Sequence, residues 1–154
     1  MQLKLICVAK KSENVYSELC NEYWKRLQNY GVKCELKVLE NKAVTQNINH
    51  NKESENGLII KELGANDFVV ALDETGQQLH SIAFANMLQT TMNKTSKITF
   101  VIGGAYGLNE ETRKRANAVI SLSALTFPHQ MVRLILAEQL YRAFSILRNE
   151  KYHH

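Results

Sequence analysis

The sequence predicts an α/β fold, a mostly parallel sheet flanked by helices, and three observations carry that prediction. Short apolar runs of strand length alternate along the chain with stretches of helical period. Two of those runs, residues 67–72 (DFVVAL) and 98–102 (ITFVI), are almost unbroken, as strands covered on both faces of a parallel sheet must be. The chain has 154 residues, 45% of them hydrophobic, with one proline and no break in composition that would mark a linker. That is enough for one core, so a single domain over residues 1–154 is expected.

Charge and cysteines narrow the class. Lys and Arg number 19 against 15 Asp and Glu, a formal charge of +4, and the pI is about 9.0. This permits an anionic partner such as RNA without demanding one. Cys7, Cys20 and Cys34 are odd in number and have no CxxC spacing, which fits reduced cytosolic thiols. Residues 1–9 are short and carry Lys4, unlike a secretory leader, and no run approaches membrane-spanning length. A cytoplasmic protein with no membrane partner is expected. No group of side chains has metal-ligand spacing, so no metal is expected either.

Taken in order, residues 2–9 (QLKLICVA) alternate and then become wholly apolar, a first strand. Ser12 is a candidate N-cap for a helix carried by Tyr16, Leu19, Tyr23, Leu27 and Tyr30, and Gly31 ends it. Residues 32–39 (VKCELKVL) alternate as a strand with one wet face. Residues 40–57 are polar and asparagine-rich, a loop leading into a short helix that ends at Gly64. The strand 67–72 is followed by a turn, DETG, and a helix over 80–92. After the strand 98–102 come a short charged helix, 109–116, and a last strand, 118–122. Pro128 then sits in the first turn of a helix reaching about residue 147.

That last helix is apolar on almost every face, and a helix apolar all round must be covered all round. In so short a chain the sheet covers one side and a second subunit the other, which predicts a homodimer.

Chemistry concentrates in the last third. Gly103, Gly104 and Gly107 follow a strand, but their GGxxG spacing is not the GxGxxG of a dinucleotide loop, and GxxxxGK[ST] is absent. A tight turn and a ligand loop explain them equally well. Glu138 and Arg142 stand four apart, the spacing of an ordinary helix ion pair. Their otherwise apolar setting makes that pair costly unless something uses it. Arg133 can face phosphate or the rim of a subunit interface. Tyr152, His153 and His154 form a frayed end, a tag remnant, or donors and a base that reach a site. His129 reads as a capping or packing residue, and His50 and His80 as structural.

The segments FVIGGA (100–105), SLSALTFPH (121–129), LAEQLYRA (136–143) and YH (152–153) occur in that order. Earlier come LKLICVAK (3–10), EYWKRL (22–27) and LDETGQ (72–77). Together they resemble the ribosomal large-subunit RNA methyltransferase H family of the SPOUT class. Each motif is weak alone; their order and spacing are specific, and they cover the full chain. The resemblance implies an S-adenosylmethionine-dependent enzyme that methylates N3 of a pseudouridine in 23S rRNA of the assembled ribosome. It also implies a C-terminal trefoil knot, which no periodicity argument could reach and which general topology rules disfavour. Carried over by position, it implies that Leu72, Gly103, Leu122, Ser123, Ala124, Leu125, Thr126 and Phe127 line the methyl-donor pocket. Glu138, Arg142, Tyr152 and His153 would form the substrate side, with Arg142 orienting the base and His153 assisting its deprotonation. Gly104 and Gly107 would shape the loop. Tyr106 departs from the family pattern, and so does His154, where relatives often carry Arg or Lys; a phosphate contact would fall to His154 or Lys151. The alternative is a catalytically silent ribosome-binding factor of the same fold. A small nucleotide-binding enzyme is disfavoured by the missing phosphate motifs.

Overall fold

The computed structural model describes residues 1–10, 15–42 and 44–153. Five strands, β1 (Gln2–Val8), β2 (Lys33–Leu39), β3 (Phe68–Gln78), β4 (Lys97–Ile102) and β5 (Ala118–Ser121), form one sheet in the order β2-β1-β4-β3-β5. Every pairing is parallel. The helices are α1 (Val15–Gln28), α2 (Ile48–Glu62), α3 (Ser81–Met92), α4 (Glu110–Arg115) and α5 (His129–Leu147).

The period of two in the strands sorts the helices into layers. Leu3, Leu5, Cys7, Val70, Leu72, Ile98, Phe100 and Ile102 face one side and meet Trp24 and Leu27 of α1, Phe84 and Leu88 of α3, and Leu136 and Leu140 of α5. The residues between them, Ile6, Val8, Val69, Ala71 and Val101, face the other side and meet Ile59 of α2 and Leu108. Burying a side chain the size of Phe100 is worth about 1.5–3 kcal/mol, so the first face dominates stability. The second is smaller and admits a charge: Lys4 is buried there, its Nζ 3.5 Å from Glu62 and 3.7 Å from Glu35.

Most elements lie where the sequence places them, and Gly31 closes the turn after α1 with φ of 73°. The Ser12 cap lies outside the described residues. Two elements differ. The polar stretch read as a loop is helical from Ile48, capped by Asn47, whose side chain accepts the His50 N–H at 3.1 Å. Asn51, Glu55 and Asn56 are buried in it beside Ile59, so the inward face of α2 is mostly polar and carries no apolar period. The DETG turn lies inside β3, which continues past an irregularity between Leu72 and Gln77 and pairs again with β5. Asp73 makes that irregularity: its Oδ1 accepts the Thr75 N–H at 3.0 Å and the Thr75 hydroxyl at 2.6 Å, satisfying backbone that leaves the ladder.

Candidate active site

Parallel strands bring their C-terminal ends to one edge of the sheet. There Leu72 of β3 lies in register with Ile102 of β4 and Ile120 of β5. The segments that follow, 73–76, 103–109 and 122–128, enclose a cavity of about 760 Å³. Cofactor sites occupy about 300–1,000 Å³ in such positions. Leu72, Leu122, Phe127 and Val132 supply apolar wall, the glycine loop supplies backbone, and Lys52, Asp73 and Arg113 bring charge.

The glycine loop doubles back on itself. Gly104 and Gly107 bridge across it, the Gly107 N–H donating to the Gly104 carbonyl at 3.1 Å. A Cβ at Gly103 would stand 2.7 Å from the Gly107 carbonyl carbon, so only hydrogen fits there. Arg113 braces the loop, donating to the Leu108 carbonyl at 2.6 Å and reaching Asp73 Oδ2 at 3.4 Å. Burial alone would raise the Asp73 carboxyl. The hydrogen bonds from Thr75 and the guanidinium of Arg113 outweigh it and hold Asp73 below the usual carboxylate range.

On the third segment, the Ser121 hydroxyl donates to the Ser123 carbonyl at 2.8 Å, and Ser123 Oγ accepts the Leu125 N–H at 2.9 Å. This turn leaves Leu125 71% exposed at the cavity rim. His129 opens α5 at the cavity wall, where burial first and the Arg133 charge second lower its pKa, favouring the neutral ring.

Farther along α5, Glu138 is a hub. Its Oε1 accepts from Arg142 Nε at 3.0 Å, from Arg142 Nη2 at 2.5 Å and from the Tyr152 hydroxyl at 3.2 Å. Its Oε2 accepts from Gln139 Nε2 at 2.6 Å. Arg142 lies over the Tyr152 ring, 4.8 Å from its centroid, and Tyr141 meets the same ring edge-on at 4.8 Å. Burial, with the Tyr23 hydroxyl and the Glu138 charge, pushes the Tyr152 phenol well above its ordinary pKa, so it stays a donor. His153 follows half-buried, its Nδ1 unpaired among the described residues.

Leu72, Gly103, Leu122, Ser123, Leu125, Thr126 and Phe127 all line the cavity. Ala124 is exposed between them and is not part of the wall. Glu138, Arg142 and Tyr152 come together with one another but, like His153, do not line the cavity of their own chain. From Val132 at the wall, Glu138 and Arg142 lie six and ten residues on, about 9 and 15 Å along the helix axis.

A family profile described as "Predicted SPOUT methyltransferase" matches residues 1–153. Proteins named Ribosomal RNA large subunit methyltransferase H are 46% identical in Christiangramia forsetii, 43% in Flavobacterium johnsoniae and 41% in Parabacteroides distasonis. Each alignment covers 100% of this chain and 99% of the relative. The chain belongs to the methyltransferase H family of SPOUT methyltransferases. Membership makes it an enzyme of the methyltransferase class. Two solved structures share its fold at low identity. A probable methylase family protein from Haemophilus influenzae has a TM-score of 0.54 at 15% identity over 99% of this chain and 70% of that one. A tRNA (m1G37) methyltransferase from Aquifex aeolicus has 0.50 at 14% over 92% and 70%.

For this SPOUT methyltransferase, sequence reasoning missed Asp73, Arg113 and Lys52 at the cavity. Asp73 had a signal, a carboxylate at the end of an apolar strand, which the turn reading absorbed. Arg113 and Lys52 had none, since each sits among other charges on a short or polar helix. His129, read as capping or packing, and Tyr106, at 36% exposure, both stand on the cavity wall.

Proposed function

We propose that this protein transfers the methyl group of S-adenosylmethionine to N3 of a pseudouridine in 23S rRNA of the assembled ribosome. One observation carries the reading: the cavity at the ends of β3, β4 and β5 is walled by Leu72, Gly103, Leu122, Ser123, Leu125, Thr126 and Phe127, seven of the eight residues that the family resemblance assigns to the donor. The chemistry of the wall fits that donor. An adenine wants apolar sides and free backbone groups, which Leu72, Phe127 and the glycine loop offer, and a Cβ at Gly103 would fill the cradle. Asp73, held ionised, suits the donor's cationic and hydroxyl groups.

When bound, S-adenosylmethionine supplies a methyl group on a sulfonium, already activated for displacement. The side chains supply position and proton handling. Glu138 fixes the Arg142 guanidinium in one plane, and Arg142 orients the uracil-like ring through its carbonyls. Tyr152 braces both, and His153 takes the N3 proton. The 9–15 Å offset along α5 is closed in a homodimer, where the Glu138 group of one copy faces the donor cavity of its partner. The half-buried apolar side chains Met131, Leu134 and Ile135 on α5 suit that contact. Family likeness also supports a single SPOUT domain with a C-terminal trefoil knot, and the cytoplasm as its place of work. Among the described residues no helix is long and apolar enough to cross a membrane.

The test is methyl transfer from labelled S-adenosylmethionine to purified ribosomes lacking the modification, with free 23S rRNA in parallel. Label on ribosomes alone is the expected result. Donor binding without label on either substrate refutes the enzyme reading and leaves a ribosome-binding factor.

A further inference from the structure

Glu55 is a buried acid that the proposed reaction does not use. It lies on the inward face of α2, 7% exposed, and its Oε2 has no hydrogen-bond partner among the described residues. A carboxylate oxygen so placed costs free energy, and an apolar residue would fill the same space at less cost. Burial accordingly raises its pKa.

What Glu55 faces is the donor loop. The three atoms nearest to a Cβ built on Gly104 all belong to Glu55: Oε2, Cδ at 2.9 Å and Oε1 at 3.3 Å. Gly104 has no positive φ, so it is this carboxyl, and not backbone, that a side chain at 104 would meet first. The adjacent residue grips the same loop. Asn56, fully buried, donates from Nδ2 to the Gly107 carbonyl at 3.2 Å and accepts the Asn109 N–H on Oδ1 at 3.0 Å. Glu53 Oε2 accepts from Asn109 Nδ2 at 2.7 Å. An oxygen approaches a backbone carbon at about 3.3–3.6 Å, closer than the roughly 3.5–4.0 Å of a methyl, so a carboxyl lets the loop sit nearer to α2 than Leu or Ile would.

We propose that Glu55 is a positioning residue for methyl-donor binding. Its carboxyl occupies the volume of a side chain at 104 and thereby sets where the glycine loop stands against the cavity. This rests on the reading that the cavity takes S-adenosylmethionine.

The test is a set of full-length variants, Gly104→Ala, Glu55→Ala, Glu55→Gln and both doubles, titrated with S-adenosylmethionine by calorimetry, with thermal midpoints alongside. Gly104→Ala is expected to weaken donor binding about tenfold, within the range of contacting pairs. Adding Glu55→Ala to Gly104→Ala vacates the volume and should bring affinity back to within about threefold of Glu55→Ala alone. Adding the isosteric Glu55→Gln should bring no relief. If Gly104→Ala does not fold, recovery of folded protein with Glu55→Ala and not with Glu55→Gln is the same result. Losses that multiply in both doubles, or a Gly104→Ala protein that binds like wild type, overturn the inference. Wild type that fails to bind the donor removes the underlying reading, and this inference with it, whatever the variants do.

Discussion

Replacing Glu138 by Gln keeps the shape of the hub and removes its charge. The Glu138–Arg142 pair is partly buried, with side-chain exposures of 19% and 26%, and Oε1 receives three hydrogen bonds from Arg142 and Tyr152. Hydrogen bonds to a charged group contribute about 1.5–3 kcal/mol and neutral ones about 0.5–1.5, so the change should cost about 1–2 kcal/mol in holding Arg142. If that orientation serves the transition state and not donor binding, single-turnover methylation should fall about 5–30-fold with affinity for S-adenosylmethionine unchanged. The thermal midpoint should drop by roughly 2–8 °C. Rapid-quench transfer to unmodified ribosomes, paired with donor titration, reads both quantities. Turnover within twofold of wild type in a folded variant would refute the argument, and so would a rate loss matched by an equal loss of donor affinity.

Gly103→Ala puts a methyl against the Gly107 backbone, which cannot swing aside as a side chain can. Donor affinity should fall by at least about tenfold, measured by equilibrium dialysis. Asp67 bonds Lys97 Nζ at 2.9 Å, the Thr99 hydroxyl at 2.9 Å and the Gly64 N–H at 3.2 Å; burial works to raise its pKa, and these partners bring it below the ordinary value. A lowered pKa stabilises the fold above the unfolded value and loses that contribution as pH falls through the folded one. Asp67→Asn should therefore unfold in less urea at pH 7, by about 1–2 kcal/mol, and the gap should close below about pH 3.9. Sedimentation equilibrium at micromolar concentration should give twice the 17.6 kDa chain mass; monomer alone contradicts the dimer.

Strands and most helices were legible because apolar runs and helical periods are written locally. The start of α2 was not, because its inward residues Asn51, Glu55 and Asn56 are polar: Asn51 bonds Thr45 just before the helix, and Glu55 and Asn56 face a loop some fifty positions away. The end of β3 was hidden by Asp73 and Thr75, whose turn chemistry was read correctly and whose return to pairing with β5 depends on a strand not adjacent in sequence. Within the site, the family resemblance is what placed residues 122–127 beside Gly103, and the parallel sheet whose strands both follow is the physical reason they meet. The distance between the cavity and the Glu138 group could not, since LAEQLYRA states a helix period but not where along α5 the cavity ends.

The arrangement of β1 also governs how this chain reaches its native state. Leu3 pairs with Cys34 on one side and with Ile98 on the other, 95 positions downstream. β1 therefore keeps one edge unpaired until residues 97–102 of β4 have been made. Its inner face waits longer still, for Leu136 and Leu140 of the last helix. Such non-local pairing folds slowly and leaves apolar edges exposed in the meantime. This chain thus carries, in the placement of its seven-residue β1, a requirement that its last helix be synthesised before the larger face of its core can close.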